Sequence, residues 1–236
     1  MRIDKFLANM GYGSRKEVKK LLKDGAVRID SLPIKDAKAQ VNVDVQEVTV
    51  YGELVEYKEF IYLMMNKPQE VISATEDEEQ QTVIDLLQPE DAVFDLFPVG
   101  RLDKDTEGFL LLTNDGKLAH QLLSPKKHVP KKYYARVEGL VTEDDISAFH
   151  RGVMLEDGYV TKPGELTILR GDSISEIELV ITEGKFHQVK RMFEAVGKKV
   201  VYLKRTEMGP LLLDEELELG QYRELTEEEL QLLKGE

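Results

Sequence analysis

The first ten residues carry apolar side chains at helical spacing. Positions that recur every three or four residues share one face of a helix, and a glycine after the last of them ends it. Gly11 follows the apolar set, so we predict a first helix from these residues: Ile3, Phe6, Leu7 and Met10.

A second helix is predicted directly after Ser14. Ser14 and Glu17 have the spacing of a capping box, in which two side chains satisfy free backbone amides at the helix start, and Gly25 is placed to end the helix. The apolar stripe of this helix consists of Val18, Leu21 and Leu22. Its other face carries five cations with few acidic neighbours: Arg15, Lys16, Lys19, Lys20 and Lys23. Such a face favours phosphate binding, and ordinary solvated lysines are the alternative.

Alternating apolar residues follow the second helix and predict short strands. They are Val27, Ile29, Val41, Val43, Val45, Val48 and Val50. A polar stretch, GELVEYKEF at 52–60, then precedes the strongly apolar IYLMMNKP. We interpret this stretch as a joint and predict two domains, 1–58 and 59–236.

The second part of the chain alternates predicted strands and helices. The predicted strands are 60–65, 97–102, 109–113, 133–138, 166–169, 176–181 and 200–205. The predicted helices are 82–88, 116–123, 142–150, 187–196 and 226–233, the last opened by a capping box of Thr226 and Glu229. The strands are too clustered for strict βαβ alternation, so the pattern predicts an α+β fold.

Composition narrows the class of protein. A hydrophobic fraction of 42% supports a packed core in a chain of 236 residues. The sequence has no cysteine, which excludes disulfides and thiolate metal sites. No apolar run approaches the roughly 18 to 20 residues that span a bilayer, and the first residues lack a signal-peptide core. We therefore expect a soluble cytoplasmic protein.

Charge is distributed unevenly along the chain. The net charge is −13, but residues 1–42 carry +5 and the remainder carries −18. Further basic clusters lie at 126–136 and 185–205. An acidic protein with separated basic stretches can bind a polyanion locally while its far side is repelled.

The segment FPVGRLDKDTEGFLLLTNDG, residues 97–116, crowds charges beside an apolar run. A calcium loop starting at Asp103 would need a bidentate glutamate at its twelfth position, where Asn114 stands. The four histidines, at 120, 128, 150 and 187, also lack metal-ligand spacing. Two other interpretations stay open at this point. They are a glycosidase-like carboxylate pair and a structural ion pair of Arg101 with Asp103.

This loop is one of several segments that occur in the order known from one enzyme family. The segments are RIDKFLANMGYGSRKEV (2–18), MNKP (65–68), GRLDKDTEG followed by LLLTNDG (100–116), KKY (131–133) and EGKFHQVKRMF (183–193). Together they resemble RNA pseudouridine synthases of the RsuA branch, which carry an S4 RNA-binding module before the catalytic domain. The resemblance implies a small S4-like domain followed by a domain with a mixed, mainly antiparallel sheet.

The resemblance also implies roles for individual residues. Asp103 is the carboxylate beside the ribose C1′, as nucleophile or as base. Arg101 fills the space left by the flipped nucleotide, Tyr133 lies against the uracil ring, and Lys190 forms an ion pair with Asp103. On a helix from 187 to 196, Lys190 falls at the margin of the apolar face, from which a lysine can reach a cleft. The implied RNA contacts are Lys5, Arg15, Lys16, Lys19, Lys20, Lys23, Lys185, His187 and Arg191.

Two positions depart from the family pattern. Glu70 stands where a glycine is usual, so its backbone must adopt a compatible angle. Asp30-Ser31 stands where an Asn-Gly turn is common.

The implied reaction converts a uridine to pseudouridine in structured RNA and requires no cofactor. Within the branch the resemblance is nearest to enzymes of small-subunit 16S ribosomal RNA, with large-subunit 23S enzymes as the alternative. A non-catalytic ribosome-assembly protein and a hydrolase of nucleoside bonds are the rivals from other classes. No large apolar stripe requires association, so we expect a monomer.

Overall fold

The computed structural model describes residues 1–124 and 126–235. They divide into two compact units, one of residues 1–61 with 87–96, the other of residues 62–86 with the described residues from 97 onward. Both units combine helices with mainly antiparallel sheet, which confirms the predicted α+β class. None of the helices in the described residues has the length and apolar character needed to cross a membrane.

The first unit is built from three helices and a four-stranded antiparallel sheet of order β2-β1-β3-β4. Its helices are α1 (Ile3–Asn9), α2 (Arg15–Lys23) and the single turn α3 (Pro89–Ala92). Its strands are β1 (Val27–Ile29), β2 (Leu32–Pro33), β3 (Val48–Val50) and β4 (Glu53–Leu54). The predicted apolar stripes of α1 and α2 pack against β1 and β3 in one core.

The capping box predicted for α2 is confirmed, because Ser14 accepts from the Glu17 amide and Glu17 accepts from the Ser14 amide. The strands predicted around Val41, Val43 and Val45 are wrong. The chain turns there instead: the Gln46 amide donates to the Asn42 carbonyl, and the Gln46 side chain accepts from the Asn42 amide. Local hydrogen bonds therefore outweigh the alternating pattern in this segment.

The second unit contains a nine-stranded sheet and four helices. Its strands are β5 (Tyr62–Lys67), β6 (Phe97–Pro98), β7 (Glu107–Thr113), β8 (Lys131–Glu138), β9 (Glu165–Arg170), β10 (Ile174–Ile181), β11 (Lys199–Met208), β12 (Leu211–Leu212) and β13 (Tyr222–Glu224). Its helices are α4 (Gly116–Leu123), α5 (Glu143–Arg151), α6 (Gln188–Ala195) and α7 (Glu227–Lys234).

The strand order is β13-β5-β7-β11-β8-β10-β9, with β6 beside β7 and β12 beside β11. The pairing of β7 with β11 is parallel, and the other ladders between the described strands are antiparallel. Gly108 permits this parallel contact: its φ is +105°, and a Cβ there would lie 2.2 Å from the Arg205 carbonyl oxygen. This junction brings the charged loop before β7 next to β11.

Most predicted elements of this unit are confirmed within two or three residues, and α4 matches its predicted bounds. Two predictions are wrong. In place of a helix at 82–88 there is one 3-10 turn, Ile84–Leu86, because Pro89 forces Gln88 into an extended conformation. The predicted strand 97–102 ends at Pro98, because Gly100 turns the chain at a φ of +81°.

Candidate active site

The charged loop lies between β6 and β7, at residues 99–106. The Thr106 amide donates to the Asp103 carbonyl at 3.0 Å, which closes a tight turn. Leu102 and Thr106 are buried, whereas the Asp103 carboxylate is partly exposed and the Asp105 carboxylate is largely exposed. The turn therefore anchors its apolar side in the protein and directs acidic side chains outward.

Lys67, at the end of β5, supports this loop from beneath. Its ammonium is fully buried and donates to the carbonyls of Asp103 and Thr106 at 3.2 and 3.0 Å. It also donates to the carbonyls of Pro68 at 2.8 Å and Lys104 at 3.4 Å. Sequence reasoning missed this role, although Lys67 belongs to the quoted MNKP segment, because the loop it holds is more than thirty residues away.

Burial lowers the pKa of Lys67 to about 8, although the nearby carboxylates of Asp105, Asp103, Glu107 and Glu70 favour its charged form. An ammonium has three N–H donors, and the hydrogen bonds of Lys67 to the described residues all go to backbone carbonyls. Lys67 therefore fixes the path of the loop without forming an ion pair to its carboxylates.

Lys190, from α6, contacts the acidic side of the same loop. Its ammonium lies 3.1 Å from Oδ2 of Asp103 and 2.5 Å from Oδ1 of Asp105. Burial alone would lower the pKa of Lys190, but the two carboxylates outweigh it and raise that pKa. For Asp105, desolvation is likewise outweighed by Lys190, so its pKa is lowered. Asp105 is therefore ionised and is not the protonated acid that a glycosidase pair requires.

His187 stands directly before α6, with its backbone in the left-handed region at a φ of 50°. Its Nε2 lies 3.7 Å from Oδ1 of Asp103. The rings of His187 and Phe186 stack at 3.7 Å between centroids, and Phe186 is 76% exposed. The Asp103 carboxylate is thus approached by Lys190 and His187.

Asp103 lines a small cavity of about 60 Å³ together with Arg101, Tyr133, Gln188 and Leu203. A wider groove of about 490 Å³ also includes Arg101 and Asp103 among its lining residues. Arg101 is exposed, and no described residue forms a hydrogen bond or an ion pair with its side chain. A structural ion pair of Arg101 with Asp103 is therefore absent from the described contacts, and both side chains face the same space.

Two predicted RNA contacts near α6 already have protein partners. Arg191 donates to Asp157 at 2.5 Å. The Lys185 amide donates to the Gln188 side chain at 2.8 Å, while the Lys185 ammonium lies 4.8 Å from the centroid of the Tyr159 ring. The Lys185 amide is therefore already engaged by a protein acceptor.

In the first unit the predicted RNA-contact residues are all exposed: Lys5, Arg15, Lys16, Lys19, Lys20 and Lys23. None of them forms an ion pair with a described residue. The five on α2 follow the confirmed capping box, so their helix is well defined at its start. They form a cationic face that a polyanion could contact.

The two departures from the family pattern both lie at left-handed backbone positions. Glu70 has a φ of 65°, and its amide donates to the Lys104 carbonyl at 2.9 Å. Asp30 and Ser31 have φ values of 49° and 69°. Both turns therefore keep a shape that suits glycine or asparagine while carrying other residues.

Comparison with known proteins agrees with this geometry. The family model for RNA pseudouridylate synthase matches residues 61–195, and the S4 domain model matches residues 1–46. A solved structure described as a pseudouridylate synthase covers 99% of both chains, with 36% sequence identity and a TM-score of 0.69.

Three relatives extend over nearly the whole chain. An uncharacterised RNA pseudouridine synthase of Bacillus subtilis (strain 168), YtzG, is 64% identical, covering 99% of this chain and 98% of the relative. The ribosomal small subunit pseudouridine synthase A of Vibrio cholerae is 40% identical, with 98% coverage of both. The ribosomal large subunit pseudouridine synthase B of Bacillus subtilis is 38% identical, covering 99% of this chain and 96% of the relative.

The fold, the contact of Lys190 with Asp103, the cavity that Asp103 and Tyr133 line, and the matched segments agree with one another. The chain belongs to the RNA pseudouridylate synthase family and carries an S4 domain at its N-terminus.

Proposed function

We propose that this chain isomerises a uridine of ribosomal RNA to pseudouridine. The observation that carries the proposal is the Asp103 carboxylate, 3.1 Å from the Lys190 ammonium in a cavity shared with Arg101 and Tyr133. The reaction breaks the bond between C1′ and N1 and joins C1′ to C5. The C5 hydrogen leaves as a proton and N1 gains one, so the atoms and electrons balance without a redox partner.

Asp103 acts on the ribose, either by attacking C1′ or by removing a sugar proton. Both routes need an ionised oxygen beside the sugar while water is being excluded. Lys190 supplies a compensating positive charge in contact with this oxygen. Lys67 holds the loop backbone, so the oxygen keeps its position during the reaction.

Arg101 and Tyr133 act on the base. A stacked uridine is out of reach of an enzyme cavity, so the nucleotide must be extruded. Arg101 is exposed and without a described partner, which suits it to fill the vacated stack. Tyr133 is 7% exposed in the cavity wall, where its ring can lie against the uracil.

The RNA is held by separate cationic surfaces. The exposed cations of the S4 domain, Lys5 and those of α2, bind phosphates without reading sequence. Lys185 and His187 bind the strand near the cavity, and Arg191 joins them by exchanging its Asp157 partner for a phosphate. The protein acts as a monomer in the cytoplasm on structured RNA.

We propose small-subunit 16S ribosomal RNA as the substrate, in free form or within a pre-ribosomal particle. Relatives of nearly equal identity are named for the small and for the large subunit, at 40% and 38%. Large-subunit 23S RNA is therefore the second candidate. A pseudouridine map of both RNAs, from cells with and without the gene, decides between them.

Asp103→Asn tests the chemistry. Because C5 loses its hydrogen, RNA labelled with tritium at uridine C5 should release tritium with the wild type. We expect release to fall at least about 10³-fold with Asp103→Asn, while RNA affinity stays within about threefold. Asp105→Asn, which removes a carboxylate that contacts the same Lys190, should retain activity within about tenfold.

Three outcomes would contradict the proposal. Wild-type tritium release from Asp103→Asn would remove Asp103 from the reaction, and release of free uracil would indicate a hydrolase. Rescue of a ribosome-assembly defect by Asp103→Ala in a deletion strain would favour a non-catalytic role.

A further inference from the structure

A second cavity, of about 300 Å³, adjoins the catalytic cavity. The two share Arg101, Tyr133, Gly184 and Lys185 as lining residues. Five cationic side chains line the second cavity, against one acidic side chain: Arg101, Lys131, Lys162, Lys185 and Arg205, with Glu183. Of these five cations, the proposed catalysis uses only Arg101, so the other four need a different explanation.

Arg205 is the most deeply buried of these cations, at 2% exposure. It lies opposite Tyr133 in the register of β8 and β11. Its Nε donates to the Phe109 carbonyl at 2.8 Å, whereas its Nη2 is buried and has no hydrogen-bond partner among the described residues. Buried donors are nearly always satisfied in folded proteins, so this one points to a missing acceptor.

Lys131 supplies a second buried cation from the same face of β8 as Tyr133. It is 9% exposed, and its ammonium donates to one described acceptor, the Val129 carbonyl, at 3.0 Å. No described carboxylate lies within ion-pair distance of Lys131 or Arg205. Burial and the charge of Arg205 lower the pKa of Lys131 to about 8. Two cations are thus held close together in a cavity wall without compensation.

The acidic residue of this cavity does not compensate them, because its oxygens have other donors. Oε1 of Glu183 accepts from the Lys162 amide at 3.0 Å and from Gln188 at 2.6 Å. Oε2 accepts from the Tyr159 hydroxyl at 2.7 Å. Glu183 therefore holds the residues of the cavity wall together, and the charges of Lys131 and Arg205 remain available to a bound anion.

We propose that Lys131 and Arg205 form a phosphate subsite that holds a phosphodiester of the RNA strand next to the extruded uridine. The proposal rests on the proposed function, since it assigns part of the same substrate. A neutral base would leave both buried charges uncompensated, whereas a phosphate supplies charge and acceptor oxygens together. The shared wall with the catalytic cavity places the bound anion on the molecule that Asp103 acts upon.

Lys131 and Lys132 provide a matched pair of substitutions. They are neighbours on β8, but Lys132 points to the opposite face and pairs with Glu178 and Glu207 at 3.2 and 3.1 Å. We therefore compare Lys131→Gln with Lys132→Gln and with the charge-preserving Lys131→Arg. The probe is unmodified 16S ribosomal RNA transcribed in vitro with tritium at uridine C5.

For Lys131→Gln we expect the RNA concentration that gives half-maximal single-turnover rate to rise about tenfold near 0.1 M salt. The slope of its logarithm against the logarithm of salt concentration should fall by about 0.7 to 0.9, the value for one lost phosphate contact. Lys131→Arg should stay within about threefold of the wild type, and Lys132→Gln should match it. Equal half-saturation and slope in Lys131→Gln and Lys132→Gln would overturn the proposal.

An RNA phosphodiester and a free phosphate ion have the same chemistry, so the subsite could bind either one. A separate measurement with inorganic phosphate, compared with the RNA measurements, distinguishes the two ligands. At constant ionic strength, phosphate should raise the thermal midpoint of the wild type more than that of Lys131→Gln. If this difference appears but the RNA slopes are equal, the subsite takes free phosphate and the RNA assignment is wrong. If the wild type releases no tritium, the proposed function fails, while the phosphate measurement still tests the subsite.

A measurement on the wild-type protein tests the subsite without relying on the correct folding of a variant. Reductive methylation at pH 8 modifies accessible neutral amines, and mass spectrometry quantifies Lys131 and Lys132 separately. The RNA transcript should protect Lys131 more than Lys132. Equal protection of both lysines would count against the subsite.

Discussion

The cations of α2 and the cations of the catalytic unit use the same residue types in opposite ways. On α2, Arg15 and four lysines are exposed and form no ion pair with a described residue. In the catalytic unit Lys67, Lys131 and Arg205 are buried, and each contacts specific backbone carbonyls. The exposed set suits salt-dependent, sequence-tolerant binding, whereas Lys67 fixes the loop that carries Asp103, and Lys131 and Arg205 line the proposed phosphate subsite.

The comparison teaches that a charge count is a poor guide to what a lysine does. The pKa of Lys190 is raised because the two carboxylates in contact with it outweigh its burial, while the pKa of Lys67 is lowered because its burial outweighs the charges of the nearby carboxylates. Loss of Lys67 or Lys190, which contact the loop of Asp103, should therefore affect the turnover rate, whereas loss of an α2 cation should affect RNA affinity. The following substitutions test this division.

The largest effect is expected for Lys190→Met. Removal of the ammonium leaves the Asp103 and Asp105 carboxylates close together without their shared cation. We expect the turnover rate at saturating RNA to fall about 10²- to 10³-fold. Lys190→Arg should restore part of the rate, and Glu194→Gln, an exposed change on the same helix, should leave it intact. A rate within threefold of wild type for Lys190→Met would contradict the assigned role.

Lys67→Met should have the next largest effect on turnover. Three loop carbonyls and that of Pro68 lose their donor, so the position of Asp103 is no longer fixed. We expect an approximately 10²-fold lower turnover rate with RNA affinity nearly unchanged, because a small misplacement of a catalytic group costs about this much. An equal loss of affinity would instead indicate a general folding defect.

The same variant should change how stability depends on pH. The pKa of Lys67 is about 8 when folded and 10.5 when unfolded, so between these values the unfolded chain binds the extra proton. The free energy of unfolding therefore falls as pH decreases through this window, by up to about 1.4 kcal/mol per pH unit from this residue. Urea unfolding at several pH values should show that Lys67→Met lacks this contribution, which Lys132→Gln retains.

A smaller effect, on affinity alone, is expected for the double substitution Lys16→Gln, Lys20→Gln on one face of α2. Loss of two phosphate contacts should lower the salt slope of RNA binding by about 1.4 to 1.8. The turnover rate at saturating RNA should not change. The matched control is Lys35→Gln with Lys38→Gln, which alters the charge of the same unit by the same amount. Equal slopes in the two variants would show that net charge, not α2, governs binding.

The smallest effect is expected at the turn of the first unit. Ser31 has a φ of 69°, a backbone region in which glycine carries no steric penalty. Ser31→Gly should therefore raise the free energy of unfolding by about 0.5 to 1 kcal/mol, without changing turnover. Glu70→Gly, at a φ of 65°, relieves similar strain in the catalytic unit and gives a direct comparison by thermal unfolding.

Much of this molecule follows from short-range sequence signals. The capping boxes at Ser14 and Thr226 define helix starts, and the bounds of α4 follow from its apolar spacing. These features depend on residues a few positions apart, which periodicity and capping chemistry describe well. The failed helix at 82–88 had such a pattern, but a proline beyond its end determined the backbone.

The candidate site likewise contains residues that the sequence indicated and residues that only the structure revealed. The motif order indicated Asp103 and Lys190, which are 87 residues apart. Neither motif nor spacing indicated that Lys67 would bind the loop carbonyls, or that Lys131 and Arg205 would share a cavity wall.

The sequence by itself determined the helices of the described residues other than α3, the α+β class and the exposed cationic face of α2, because each rests on contacts between near neighbours along the chain. Only the tertiary structure decided that Lys190 contacts carboxylates and that the buried Lys67 contacts backbone carbonyls. That choice depends on the parallel contact of β7 with β11 and on the position of β5 beside β7. Such long-range pairing is set by packing, and a local pattern of residues carries no record of it.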